Sequence, residues 1–238
     1  MLQYYEMVFW RKPESENTSF DEIAEKAYKA VSVFQKMPEK YRPTFPVGKN
    51  KKDTVFEELT YEKFYNELRK NINQADGVIY KDLGYRIKLF TSFDSSTCCV
   101  YSFGIGKTNQ KFINAFVVEF ALDLDYFNPD ISNLLSNIFV EVVKIFKPFW
   151  ACAVNSLLPV EQLYLTEDNH KPTALHWLNY FSPKMTNNLG GEKRFKKVQK
   201  KFKSIKFIDG VLQLQDIALD ANRPEDVKLK TDIEKELL

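Results

Sequence analysis

The sequence lacks an apolar run long enough to cross a membrane. A spanning helix needs about 18–20 consecutive apolar residues, and no stretch of the chain approaches that length. The first residues, Met1 to Glu6, contain no basic region followed by a long apolar one, which is the pattern of a secretory signal. We therefore expect a cytoplasmic protein without a membrane partner.

Cysteine and histidine are scarce, with three and two residues of each type. Cys98 and Cys99 are adjacent, and neighbouring residues of a strand point to opposite faces, so these two cannot form an ordinary disulfide. An odd count without regular spacing is typical of reduced thiols in a cytosolic protein. The histidines, His170 and His176, stand in no metal-ligand or nucleophile motif. We predict no metal site, no cofactor and no catalytic residue.

Neither sign of charge is in large excess. Lysine and arginine total 34 residues against 32 aspartates and glutamates, which gives a formal net charge of +2. A general nucleic-acid binder carries a larger basic surplus. The balance therefore argues against nucleic acid as a partner.

Helical and strand periods alternate along the chain. Ser19 and Glu22 match a capping box before an apolar stripe of helical spacing, and Pro38 ends that helix. The residues from Tyr41 to Asp53 have the composition of an exposed loop. Further helices are predicted from Thr60, Asn128, the lysine-rich segment after Gly191, and Pro224.

Strands are predicted where β-prone runs are bounded by turn residues. The runs are Leu2–Trp10, Val78–Tyr80, Tyr85–Phe90, Thr97–Phe103, Asn114–Ala121, Phe149–Val154 and the two flanks of an Asp209-Gly210 hairpin turn. No composition break divides the chain. The sequence thus predicts a single α+β domain over residues 1–238, with a mostly antiparallel or mixed sheet flanked by amphipathic helices. The order helix, sheet, helix, sheet would also permit two lobes.

The run from Lys171 to Pro183 has the length of one strand between two prolines. Both of its faces carry apolar or aromatic residues, so we expect a strand covered on both sides. Packing in the core is one interpretation of its aromatic residues. The alternative is that His176, Asn179 or Tyr180 contributes to a recognition surface.

Acidic residues cluster where the run ending at Ala121 stops. Asp123 and Asp125 follow it, Glu119 precedes them and Asp130 comes after. Carboxylates at this spacing could bind a divalent cation or act as acid and base. They could also be solvated residues at a strand end, or form an acidic patch that meets a basic partner.

The segment from Lys193 to Lys206 holds eight basic residues. Phe195, Val198 and Phe202 recur at helical spacing and can hold the segment against the core. The lysines then form a solvated face, and a phosphate-binding face is the functional alternative.

The order of several short motifs resembles bacterial polymorphic-toxin immunity proteins, specifically the immunity protein 52 family and its type VI secretion relatives. The motifs are Trp10-Arg11 followed by Glu14-Ser15, Gly104 after a β run, Asn114 opening an apolar strand, Phe149–Val154, Trp177–Phe181, Gly210–Leu212 and Asn222–Val227. They extend over almost the whole chain.

The resemblance implies a cytoplasmic, non-enzymatic protein that binds one cognate toxin, of a nuclease type. Nuclease active sites are basic, and inhibitors often meet them with carboxylates and aromatic residues. The interface we predict comprises Glu119, Asp123, Asp125, Tyr126, His176, Asn179 and Tyr180. The alternatives are a metal-dependent enzyme using Asp123 and Asp125, and a nucleic-acid-associated protein using the 193–206 face. The sequence does not distinguish a monomer from a homodimer.

Overall fold

The chain folds as the predicted α+β protein. The computed structural model describes residues 3–48, 52–157 and 171–238, and within these ranges it contains six α-helices and twelve strands. The helices are α1 (Phe20–Ser32), α2 (Tyr61–Lys70), α3 (Pro129–Phe146), α4 (Pro183–Asn188), α5 (Gly191–Lys201) and α6 (Pro224–Leu237). Residues 158–170 lie outside the described ranges; they include His170 and the run Leu158–Leu165, for which the sequence predicts a short helix.

Eight strands form the main sheet, and every pairing with a defined register in it is antiparallel. These strands are β1 (Tyr5–Arg11), β6 (Tyr85–Phe90), β7 (Val100–Ile105), β8 (Asn114–Glu119), β9 (Trp150–Asn155), β10 (Leu178–Phe181), β11 (Lys206–Ile208) and β12 (Val211–Gln213). Their order is β11-β12-β10-β9-β1-β8-β7-β6. The outermost strands are therefore β6 and β11.

Two short hairpins complete the strands of the described chain. They pair β2 (Thr44–Val47) with β3 (Val55–Glu58) and β4 (Gln74–Ala75) with β5 (Val78–Ile79). No helix within the described ranges is both long and apolar enough to span a bilayer.

The chain divides into two compact units, each assembled from separate stretches. Unit 1 comprises Met1–Met7, Asp125–Val140 and Phe149–Leu238, and unit 2 comprises Val8–Leu124 and Glu141–Pro148. Compactness does not show whether a unit folds alone, since that requires its own cooperative core. The single domain over residues 1–238 therefore stays a prediction.

Unit 2 begins its helical layer at the predicted capping box. The Ser19 hydroxyl accepts a hydrogen bond from the Glu22 amide at 3.2 Å, and the Glu22 carboxylate accepts from the Ser19 amide at 2.9 Å. In the core of this unit, the rings of Phe103 and Phe116 stack with centroids 4.0 Å apart. Phe34 meets the edge of Phe116 at 5.8 Å, which attaches the helical layer to the strands.

The prediction of an exposed loop from Tyr41 to Asp53 is wrong in two respects. Tyr41 is 3% exposed, and residues Thr44–Val47 form β2, which pairs with β3 from Thr44↔Glu58 to Val47↔Val55. Pro46 made this run look like a loop. A two-stranded hairpin tolerates proline because its outer side has no partner that needs the missing N–H.

Unit 1 contains the hairpin predicted at Asp209-Gly210. Both residues have positive φ, 50° and 81°, as a two-residue turn between β11 and β12 requires. A β-carbon at position 210 would lie 2.5 Å from the Phe181 carbonyl oxygen, so only glycine fits there. Phe195 of α5 stacks on Phe207 of β11 at 4.3 Å, which confirms the buried face predicted for the lysine-rich helix.

The strand predicted from Lys171 to Pro183 is much shorter than expected. Only Leu178–Phe181 pairs as a strand, between β9 and β12. The preceding residues bond elsewhere: the Leu175 amide donates to the Glu234 carboxylate at 2.8 Å, and the Trp177 indole to the Gln215 carbonyl at 2.9 Å. These contacts to distant side chains and loops replace the ladder that the apolar pattern predicted.

Candidate partner-binding surface

Asp123 lies in the turn that follows β8, joined to the loop that precedes β7. Its amide donates to the Ser96 carbonyl at 3.1 Å, and the nearby Ala121 amide donates to the Cys99 sulfur at 3.3 Å. Asp94 stabilises the second loop by accepting from the Ser96 amide at 2.9 Å. The two loops therefore form one supported platform at this end of the unit 2 strands.

The Asp123 carboxylate is held by two side chains from the segment before β2. Lys40 Nζ lies 2.8 Å from Oδ2, and the Tyr41 hydroxyl donates to Oδ1 at 2.9 Å. Burial alone would raise the pKa of Asp123, but the hydrogen bonds from Lys40 and Tyr41 outweigh it and hold the pKa below its ordinary value. The Asp123 side chain is still 33% exposed and that of Lys40 59%. The result is a charged pair, fixed in position, that a partner can reach.

This pairing bears on the metal-dependent alternative. Both carboxylate oxygens of Asp123 already accept hydrogen bonds, so a cation would have to displace Lys40. Across the described residues, no group of three or more histidine, cysteine or acidic side chains is arranged to hold a metal ion.

An exposed aromatic side chain lies in the loop that bonds Asp123 through Ser96. The Phe93 ring is 38% exposed and contacts Phe56 of β3 at 5.2 Å and Phe90 of β6 at 6.0 Å. Val55, the neighbour of Phe56 in β3, is 63% exposed opposite Val47, but by the two-residue period it points to the other face of the hairpin from Phe56. We call the set Lys40, Phe93 and Asp123, all in unit 2, the Asp123 surface.

The predicted interface residues fall into exposed and buried groups. Asp125 is exposed, while Glu119 at the end of β8 and Tyr180 of β10 are half-buried. Tyr126, His176 and Asn179 are buried, at 2%, 0% and 0% exposure. All except Glu119 and Asp123 belong to unit 1. Nothing in the structure tests their contact with a partner, so that role stays a prediction.

His176 and Asn179 form a local clamp inside unit 1. The His176 amide donates to the Asn179 side-chain oxygen at 2.9 Å, and the Asn179 side-chain nitrogen donates to the His176 carbonyl at 2.7 Å. The amide side chain thus pairs with backbone as another strand would. This arrangement fixes the entry of the chain into β10.

Sequence reasoning missed two of the three residues of the Asp123 surface, Lys40 and Phe93. Lys40 and Asp123 are 83 positions apart, and no local pattern relates them. The exposure of Phe93 depends on how its loop packs, which no local pattern shows. Proline and lysines after Tyr41 indicated an exposed loop, so the support that the Tyr41 hydroxyl gives to Asp123 was not predicted.

The lysine face predicted at 193–206 is present in unit 1. Seven of its eight basic residues are exposed, and Arg194 is half-buried, donating to the Glu236 carbonyl at 2.8 Å. Three lysines have acidic partners: Lys196 with Glu192, Lys201 with Glu236, and Lys206 with Asp216. Among the described residues, no ion pair within 4 Å involves the other four, which are Lys193, Lys197, Lys200 and Lys203.

Comparison with known proteins gives a fold relationship only. No family model matches the chain, and no curated protein matches it. Among solved structures, the chain is similar to the Pseudomonas aeruginosa T6SS protein PA0821, with a TM-score of 0.59 and 14% sequence identity. The similarity covers 99% of this chain and 73% of that one. At this identity, the likeness concerns the arrangement of helices and strands.

Proposed function

We propose that this chain is an immunity protein of a type VI secretion system (T6SS), which binds a secreted toxin stoichiometrically and neutralises it without catalysis. The observation that carries the proposal is the fold likeness to a T6SS protein over 99% of the chain. The ordered motifs that resemble the immunity protein 52 family support the same assignment. Fold likeness alone does not determine function, so the surface must supply the rest of the argument.

The Asp123 surface has the composition that protein interfaces favour. Aromatic anchors surrounded by polar groups dominate binding energy, and charged groups steer a partner of opposite sign. Phe93 offers apolar area in the loop that bonds Asp123 through Ser96, and the platform holds the Asp123 carboxylate in place. A nuclease-type toxin with a basic active site would suit the Asp123 carboxylate, which is the partner that the family resemblance implies.

The direct test is co-expression with the product of the neighbouring gene, followed by size-exclusion chromatography and a growth-rescue assay. We expect one stable complex and restored growth. A toxic neighbouring product that forms no complex and is not neutralised would contradict the proposal.

The surface is tested with variants of that complex. The double change Asp123→Ala and Phe93→Ala should weaken binding by at least about tenfold, because it removes the charge and the ring together. Asp232→Ala is the matched control, since Asp232 of α6 is also 33% exposed and paired with a lysine. An equal loss of toxin affinity in the two variants would show that the interface lies elsewhere.

A second candidate rests on the lysine face. Four lysines without ion pairs, on a segment held by buried Phe195, could bind an anionic polymer such as RNA. Affinity for a fluorescent oligonucleotide should then fall steeply with salt. Replacing Lys193, Lys197, Lys200 and Lys203 with glutamine should remove that dependence. Weak binding that the replacements leave unchanged would reject this candidate.

A further inference from the structure

A second charged feature of unit 2 is a pocket of about 600 Å³ beside α1. Its walls come from the end of β1, the loop that leads into α1, the outer face of α1 and the residues after α3. The charged side chains that line it are Arg11, Glu14, Glu22, Glu25, Lys26, Lys29 and Lys147. None of them belongs to the Asp123 surface.

All three acidic side chains of the pocket already have partners. The buried Glu14 carboxylate pairs with Arg11, and Glu25 pairs with Lys29 at 2.6 Å. The Glu22 carboxylate accepts from the Ser19 amide at 2.9 Å and from the Ser19 hydroxyl at 3.0 Å. The acids therefore neutralise Arg11 and Lys29 and cap the helix.

The capping box keeps Glu22 from forming an ion pair with Lys26. Glu22 lies four residues before it, the spacing at which Glu25 pairs with Lys29, but the capping box holds Glu22 at the helix start. Lys26 is half-buried. Its pKa is lowered first by burial and then by the positive charges of Arg11 and Lys147, which outweigh Glu22. An anion in the pocket would relieve this repulsion.

Lys147 reaches the same pocket from the end of α3. Its φ is 52°, a left-handed conformation that glycine or asparagine adopts more easily than lysine, and its amide donates to the Val143 carbonyl at 2.9 Å. The side chain is exposed. This left-handed residue caps the end of α3, and its side chain lines the pocket. Among the described residues, neither Lys26 nor Lys147 has an ion-pair partner within 4 Å.

We propose that this pocket binds a carboxylate of a protein partner, an acidic side chain held by Lys26 and Lys147. The charge balance favours a carboxylate over a phosphate. Four basic and three acidic residues leave one net positive charge, which a single carboxylate neutralises. A phosphate dianion would exceed that charge and meet the three fixed carboxylates at close range. The proposal does not depend on the toxin assignment, because it concerns a different surface.

The test is an NMR titration of the full chain with a hexaglutamate peptide, and separately with inorganic phosphate at equal ionic strength. We expect the peptide to shift amide resonances of residues 11–29 and 143–147 selectively. The change Lys26→Gln with Lys147→Gln should weaken binding by at least about tenfold, as loss of both charge-assisted contacts predicts. Lys81→Gln with Lys111→Gln is the matched control and should change affinity less than about twofold, because both are exposed lysines of unit 2 that do not line the pocket.

Three outcomes would overturn the proposal. Tighter binding of phosphate than of hexaglutamate at these residues would make the ligand class wrong. An unchanged affinity in the Lys26→Gln/Lys147→Gln variant would place the site elsewhere. The absence of selective shifts with either probe would show that the pocket binds neither anion. The conservative Lys26→Arg/Lys147→Arg variant should keep binding, and a dispersed spectrum checks that each variant is folded.

Discussion

Two polar clusters of this molecule use similar residue types for opposite purposes. In unit 1, Asn179 directs both ends of its amide at the His176 backbone and is 0% exposed. In unit 2, the Asp123 carboxylate accepts two hydrogen bonds from the Lys40 and Tyr41 side chains, yet a third of the Asp123 side chain remains exposed. A hydrogen bond between buried groups stabilises the fold because water cannot replace either partner when the other is removed. A half-exposed polar group contributes little to stability and stays available to another molecule.

The largest difference between the two clusters should appear in the free energy of unfolding of the Asn179→Ala variant. It leaves the His176 N–H and C=O without their partners in a buried site, which should cost about 2–4 kcal/mol of unfolding free energy. Urea denaturation of the parent and the variant measures this cost. Asp123→Ala is the comparison variant, and a loss as large as that of Asn179→Ala would remove the distinction between the two clusters.

Cysteine labelling should sharpen the comparison without any substitution. Cys152 is opposite Asn179 in the β9–β10 ladder and is buried, and burial raises its pKa. Cys99 is also buried, and this burial is the main reason that its pKa is raised to about 12. Cys98, in the same loop as Ser96, is half-buried.

We expect iodoacetamide to modify Cys98 in the native protein at least about 100-fold faster than Cys99 or Cys152, because those require local opening. Peptide mass spectrometry of samples labelled for increasing times gives the three rates. Comparable rates at Cys98 and Cys152 would mean that the strands around Asn179 open readily, contrary to the buried clamp.

A smaller effect is expected from Asp123→Asn on thermal stability. Exposed ion pairs contribute little because water competes for both charges, so the midpoint should stay within about 2 °C of the parent value. Association with a basic partner should nevertheless slow at low salt, since the steering charge is gone. Calorimetry and stopped-flow binding measure the two properties. A large thermal loss would reassign Asp123 to a structural role.

The smallest expected effect is the pH dependence of that same substitution. Folding lowers the Asp123 pKa below its ordinary value of 3.8, so the ionised carboxylate stabilises the fold above that pH. The contribution is lost as the pH falls through the lower pKa of the folded state. The small stability difference between parent and Asp123→Asn should therefore be present at neutral pH and shrink as the pH falls below 3.8. A difference that grows on acidification would contradict the lowered pKa.

The sequence predicted elements best where local chemistry decided them. The capping box at Ser19 and Glu22 and the Asp209-Gly210 turn are formed by neighbours in the chain, and both are present as expected. Tyr85–Phe90 was predicted with its observed bounds because alternation and flanking turns agree there. Each of these features needs no information from distant residues.

Predictions failed where distant contacts decided the outcome. The apolar run before Leu178 resembles a strand, but Glu234 and Gln215 take its hydrogen bonds from 59 and 38 positions away. Pro46 suggested a loop, although pairing with β3 overrides it. The Asp123 surface was found through one residue only, because the support from Lys40 and Tyr41 and the exposure of Phe93 follow from packing.

The outer strand β6 has a consequence for the behaviour of the protein at high concentration. An unpaired strand edge is a template on which further chains can add, and that growth is the start of aggregation. Here the Arg86 amide donates to the Asn71 carbonyl at 3.0 Å, and the Phe90 carbonyl accepts from the Thr44 hydroxyl at 2.9 Å. By the two-residue period of the strand, the Lys88 backbone faces the same outer side, and its exposed, charged side chain disfavours pairing with an incoming copy. These features therefore protect the β6 edge of the sheet from adding strands of other molecules.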